Sequence, residues 1–193
     1  MRKYLLSILF IGLAWGQVYQ VGDYVKDLGA MLCENGNFEW SYSSQESNKV
    51  IFISSFATWW MPCQTESQEI EKIFNYFKEE TVEVIGAGMD WHSPYSCEEW
   101  AKNFNLTFPL LDDSQGENIY NYFGNGVVPY NIVIDRNGKL LYSKSGFNKD
   151  EIVNAIKNGL KVSKIKALQL DEKRFKHQQK TVYKKLLENK GIN

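Results

Sequence analysis

The sequence predicts an α/β fold, a mixed central sheet with helices on both faces. Three observations carry this. Residues 50–56 and 82–89 are dense in apolar β-formers and read as buried strands. Between them Ile70, Ile73, Phe74 and Phe77 recur at helical spacing, which makes a strand-helix-strand unit with a parallel pair. Residues 130–135 and 140–145 are joined by the tight turn Arg136-Asn137-Gly138-Lys139, which makes an antiparallel pair.

Taken in order, residues 30–33 and 38–41 flank Glu34-Asn35-Gly36-Asn37, and the Asn-Gly step predicts a hairpin. After the strand 50–56, Pro62 fits the first turn of a helix, where its missing N–H leaves no bond unmade. That helix is expected to run to about Glu80. Ser96 and Glu99 have the spacing of a capping box and open a short helix ending near Phe104. Leu110 and Leu111 form a short extended piece, and a helix over 117–123 follows. Asn148, with Glu151 three residues on, caps a last helix that ends near Gly159 and Leu160. Beyond it Ile165, Leu168, Phe175, Val182 and Leu186 are spaced among charges, as on an amphipathic helical tail.

Residues 1–16 read as an export signal. Arg2 and Lys3 precede an apolar run, and Ala14-Trp15-Gly16 offers small residues for cleavage. The apolar run is shorter than the ~20 residues a spanning helix needs. The organisation expected is therefore a signal peptide over 1–16, a domain over 17–160 and a basic tail over 161–193. A periplasmic or secreted location follows.

Charge is split along the chain. Residues 17–160 hold 10 Lys/Arg against 20 Asp/Glu, while residues 161–193 hold 10 against 3. A basic tail suits nucleic acid or an anionic lipid surface. Export removes the first partner, so contact with a membrane surface is the reading kept for the tail beside that of a solvated helix face. Cys33, Cys63 and Cys97 are three, so at least one is unpaired within the monomer. Cys33 and Cys97 are small buried residues, or pair with each other, or one pairs with Cys63. Their spacing fits no zinc site. No haem attachment sequence or Gly-rich phosphate loop is present, so no metal and no cofactor is expected.

The most informative stretch is Trp59-Trp60-Met61-Pro62-Cys63. A Trp-Cys-x-x-Cys motif places its first cysteine at a helix N-terminus, where unpaired amides stabilise the attacking thiolate. The second cysteine then resolves the mixed disulfide. Here Trp60 occupies the attacking position and only Cys63 remains.

The chain resembles the TlpA-like family of exported thioredoxin-fold thiol-disulfide reductases over roughly residues 21–160. Phe56-Ala57-Thr58-Trp59 is similar to the family's lead-in, and Pro62-Cys63 to the second half of its redox motif. Glu66 falls three positions after that cysteine, where the family has an acidic residue. Asn105-Leu106-Thr107-Phe108-Pro109 and Asp112 resemble the family's insertion, Val128-Pro129 its special proline, and 134–138 the following hairpin. The resemblance implies a thioredoxin fold with a helical insertion, to which the residues themselves add the N-terminal hairpin and the C-terminal helical tail. It implies a cis bond at Pro129, facing the helix start, and a role for Glu66 as proton acceptor or donor. Trp60 is the departure, since an indole forms no mixed disulfide.

Three functions stand open from the sequence. One is a relative of the thiol-disulfide oxidoreductases with at most single-cysteine chemistry at Cys63, assisted by Glu66. The second is a non-catalytic module that binds a protein or peptide in the old substrate groove through Trp59, Trp60, Met61, Val128 and Pro129. The third is a peroxiredoxin-like thiol peroxidase. Two readings of Cys63 separate them: a recessed, poorly ionised relic, or a reactive thiol in the first turn of a helix.

Overall fold

The computed structural model describes residues 19–25, 28–33, 39–41, 48–114 and 119–162. The expected leader, the Asn-Gly turn, Glu117 and the tail beyond Val162 lie outside the described residues.

Seven strands form one sheet in the order β2-β1-β5-β4-β3-β6-β7. They are β1 (Gly29–Leu32), β2 (Glu39–Ser41), β3 (Val50–Phe56), β4 (Val82–Gly88), β5 (Leu110–Asp112), β6 (Tyr130–Ile134) and β7 (Leu140–Ser145). The helices are α1 (Met61–Phe77), α2 (Cys97–Phe104), α3 (Ile119–Phe123) and α4 (Lys149–Lys161). β3, β4 and β5 run parallel, joined by crossovers through α1 and α2. β6 is antiparallel to β3, and β7 to β6. The hairpin β1-β2 closes the other edge, with Ala30 opposite Trp40 and Leu32 opposite Leu111.

Every residue of β3 is buried, because both of its faces are covered. Val50, Phe52 and Phe56 point into one core with Ile70, Ile73 and Phe77 of α1, Trp100 of α2, and Ile152 and Ile156 of α4. Ile51 and Ile53 point the other way, into a core with Ile119 and Phe123 of α3 and with Tyr19, Leu28 and Trp40. This is the mixed sheet with helices on both faces that the sequence predicts.

The capping box of α2 forms as expected, with Glu99 N donating to Ser96 Oγ at 3.2 Å and Ser96 N to Glu99 Oε2 at 2.8 Å. Asn148 caps α4 by accepting from Glu151 N at 3.1 Å. α1 ends three residues earlier than expected, at Phe77. Lys78, Glu79 and Glu80 are exposed, and acidic side chains are unfavourable at a helix C-terminus. The described part of α3 begins at Ile119, where Asp113 accepts from Ile119 N at 2.6 Å and Tyr120 N at 3.0 Å.

Candidate functional site

The carboxyl ends of β3 and β4 lie side by side, and the loops leaving them form the mouth of a groove. Thr58 ties the two loops together. Its amide donates to Asp90 Oδ1 at 3.0 Å, and its hydroxyl lies 3.0 Å from the carbonyl oxygens of both Asp90 and Ser93. Gln64 Nε2 reaches back from α1 to Thr58 O at 3.0 Å. Thr58 is fully buried, so these bonds fix the backbone from which Trp59 and Trp60 project.

Trp60 is the N-cap of α1. It has extended backbone and makes no side-chain cap bond. Instead the indole stands out, 42% exposed, beside Trp59 at 59% and Met61 at 72%. The rings of Trp59 and Trp60 meet edge to face, 5.7 Å between centroids. They line an open groove of about 460 Å³ together with Ala57, Met89, Asp90, Tyr120 and residues 126–128. Val128-Pro129 is a cis bond, with Val128 on the groove wall and Pro129 buried behind it.

Cys63 lies on the inner side of the same turn. It is 2% exposed and packs in the core that holds Phe56 and Ile70. Burial pushes its thiol up to about 12, with the negative charges of Glu66 and Asp90 adding to the effect and a backbone bond at Ala57 opposing it. One turn on, Glu66 is 4% exposed and accepts from Ser54 Oγ at 3.2 Å and from Asn131 Nδ2 at 2.7 Å, both at Oε1. Burial raises this carboxyl to about 7 against those two bonds. Glu66 Oε2 and Asn131 Oδ1 have no partner among the described residues. The arrangement is a neutral thiol and a proton-holding carboxyl beneath a wide aromatic mouth.

Cys33 and Cys97 form a disulfide across 64 residues of sequence, which joins the end of β1 to the first residue of α2 and leaves Cys63 free. Among the described residues no group of three His, Cys, Asp or Glu side chains is placed to hold a metal. No described helix is long and apolar enough to cross a membrane.

A family model described as AhpC/TSA matches residues 21–143. The chain belongs to the AhpC/TSA family. Among relatives by sequence is the thiol-disulfide oxidoreductase ResA of Geobacillus thermodenitrificans, 29% identical over 92 residues, 48% of this chain and 52% of that protein. The chain spans about half the length of the curated relatives it matches. A structure described as a candidate protein disulfide isomerase of Bacteroides thetaiotaomicron superposes with a TM-score of 0.64 at 26% identity, over 76% of this chain and 94% of that one. A secreted thiol-disulfide isomerase of Corynebacterium glutamicum superposes with a TM-score of 0.63 at 15% identity, over 75% and 97%, and shares the fold. The fold is thioredoxin-like, and this AhpC/TSA chain is related to proteins named for thiol-disulfide exchange.

On this AhpC/TSA scaffold the residues singled out by sequence separate into two layers. Trp59, Trp60 and Val128 line the groove, Pro129 backs it, and Met61 stands in solvent beside it. Cys63 and Glu66 lie beneath, out of solvent. Trp91 packs on Phe56 and directly over Gly88, leaving no room there for a Cβ. Tyr130 is buried, with its ring edge-on to that of Tyr120. Sequence reasoning missed Asp90 and Tyr120 as lining, and Ser54 and Asn131 as partners of Glu66. One signal was available for Asp90: sites in such sheets form beyond the carboxyl ends of parallel strands, and Asp90 follows β4 by two residues.

Proposed function

We propose that this chain is an exported, TlpA-like member of the family that binds extended protein or peptide segments without covalent chemistry, with Trp60 standing where thiol-disulfide reductases carry the attacking cysteine. The observation that carries the reading is the contrast across one helical turn: Cys63 is 2% exposed while Trp60 is 42% exposed over an open groove. A thiol raised to about 12 is almost wholly protonated near neutral pH, so very little of the nucleophilic thiolate is present. The groove keeps what peptide capture needs. Trp59, Trp60 and Met61 offer apolar contact of the kind enriched at binding hot spots. The backbone at Val128, ahead of Pro129, offers an edge for an added strand.

Export is supported by the leader-like residues 1–16 and by the Cys33–Cys97 disulfide, a bond that persists in oxidising compartments. In this reading residues 17–160 are the binding domain and the basic tail 161–193 contacts an anionic membrane surface rather than nucleic acid.

The test is an insulin-reduction assay beside its gain-of-function control. The parent protein is expected to be inactive. The variant Trp60→Cys is expected to form a disulfide between the introduced thiol and Cys63, with measurable turnover. Turnover by the parent that survives Cys63→Ser places the chemistry elsewhere and overturns the reading.

One observation favours single-sulfur chemistry as a second reading. Glu66, raised to about 7 and buried one turn from Cys63, is a proton acceptor or donor placed for that thiol. The peroxidase reading has no such support, since it needs an accessible, acidic thiol.

A further inference from the structure

The groove has a chemical bias beyond being apolar. Three of its lining residues are aromatic, Trp59, Trp60 and Tyr120. Among the described residues that line it, the charged group is the carboxylate of Asp90, and none is a lysine or arginine. Trp59 and Trp60 meet at 64° between ring planes, so they form a corner rather than a flat wall. Asp90 is half-buried and is anchored through one oxygen, Oδ1, by the amide of Thr58. Tyr120 is held from the opposite loop by its hydroxyl, which donates to Val127 O at 3.3 Å. Ring faces attract a cation through their quadrupole, and a fixed carboxylate supplies the counter-charge. The surrounding domain reinforces that sign, with 20 acidic against 10 basic residues over 17–160.

We propose that the groove takes a lysine or arginine side chain of the bound segment, held among Trp59, Trp60 and Tyr120 and paired with Asp90. This rests on the peptide-binding reading of the same groove and assigns its specificity: an extended segment with a basic residue flanked by apolar ones. An acidic segment is rejected, because Asp90 and the net charge of the domain oppose it.

The test is tryptophan-fluorescence titration of the full chain with one host octapeptide of alternating valine and threonine, carrying lysine, arginine, norleucine or glutamate at its centre. The lysine and arginine peptides are expected to bind about tenfold tighter than the norleucine peptide, and the glutamate peptide weakest. Asp90→Asn keeps an acceptor for the Thr58 amide and is expected to bring lysine and norleucine within about twofold. Raising the salt concentration in the parent protein is expected to narrow the same gap, which gives a readout independent of that variant's folding. Equal binding of lysine and norleucine peptides overturns the cation site and leaves the groove reading standing. Failure of all four peptides to bind the folded protein overturns both.

Discussion

The amide of Cys63 donates to the carbonyl of Trp60 at 2.9 Å, so a single helical turn joins an indole half in solvent to a thiol sealed in the core. In a dithiol motif the residue at the position of Trp60 is the one that reacts, and the recessed one follows. Here the outward position carries an exposed indole, and the recessed position keeps a free, buried sulfur.

The first consequence concerns thiol reactivity. With its pKa raised from 9.0 to about 12 by burial, Cys63 holds about one part in ten thousand as thiolate at pH 8. Native protein titrated with a thiol-specific disulfide reagent between about pH 7 and 9 is expected to release no chromophore on the scale of minutes, and one equivalent after unfolding. Prompt labelling in the native state shows that the sulfur is reached without unfolding and contradicts the burial.

Glu66 makes stability depend on pH in a definite direction. Its folded-state pKa of about 7 lies above the 4.5 expected of an unperturbed glutamate. The folded chain therefore binds the proton more tightly. The contribution is fully present below about pH 4.5, is lost as pH rises to about 7, and is flat above that. Asp113, raised from 3.8 to about 6 by burial, acts with the same sign in a lower window. Urea unfolding at about pH 5 and pH 8 is expected to show the parent losing up to about 2–3 kcal/mol from Glu66, and Glu66→Gln losing less. Equal losses in the two proteins contradict a raised carboxyl at this position.

Much of this site was legible in the chain, and the remainder has a physical reason for being hidden. Pro62, the Ser96–Glu99 box and Asn148 are local signals, and each starts a helix where expected. The strands 50–56 and 140–145 match because their residues strongly prefer buried pleated positions. The pairing of Cys33 with Cys97 was left open, since three cysteines give no unique partner without the register that sets β1 beside β5. Asn131 meets Glu66 from 65 residues away, and Asp90 meets Thr58 across two loops. Such contacts follow from how strands stack laterally, which leaves no periodic trace in sequence.

The Cys33–Cys97 bond ties the end of the short strand β1 to α2. Closing a loop of this length stabilises the fold by about 4 kcal/mol in the chain-entropy model, and measured losses on removing such bonds run about 2–5 kcal/mol. The double variant Cys33→Ser, Cys97→Ser is expected to lose stability in that range by denaturant titration while keeping its far-UV spectrum. A change below about 0.5 kcal/mol means the two sulfurs are not bonded in the protein as purified.

The domain boundary is testable by truncation. The fully buried side chains of α4 end with Ile156, and Gly159 packs against Val50 just before the helix stops at Lys161. A chain ending at Val162 is expected to unfold in one cooperative transition. A broad, non-cooperative melt means that the tail supplies part of the core.

The most direct measurement is calorimetric titration of the lysine-bearing host peptide into the parent, Cys63→Ser and Trp60→Ala proteins side by side. Binding through the groove without covalent chemistry requires Cys63→Ser to match the parent and Trp60→Ala to weaken binding by about tenfold or more. Binding abolished by Cys63→Ser and unchanged by Trp60→Ala contradicts it, because the sulfur and not the indole is then the group that holds the partner.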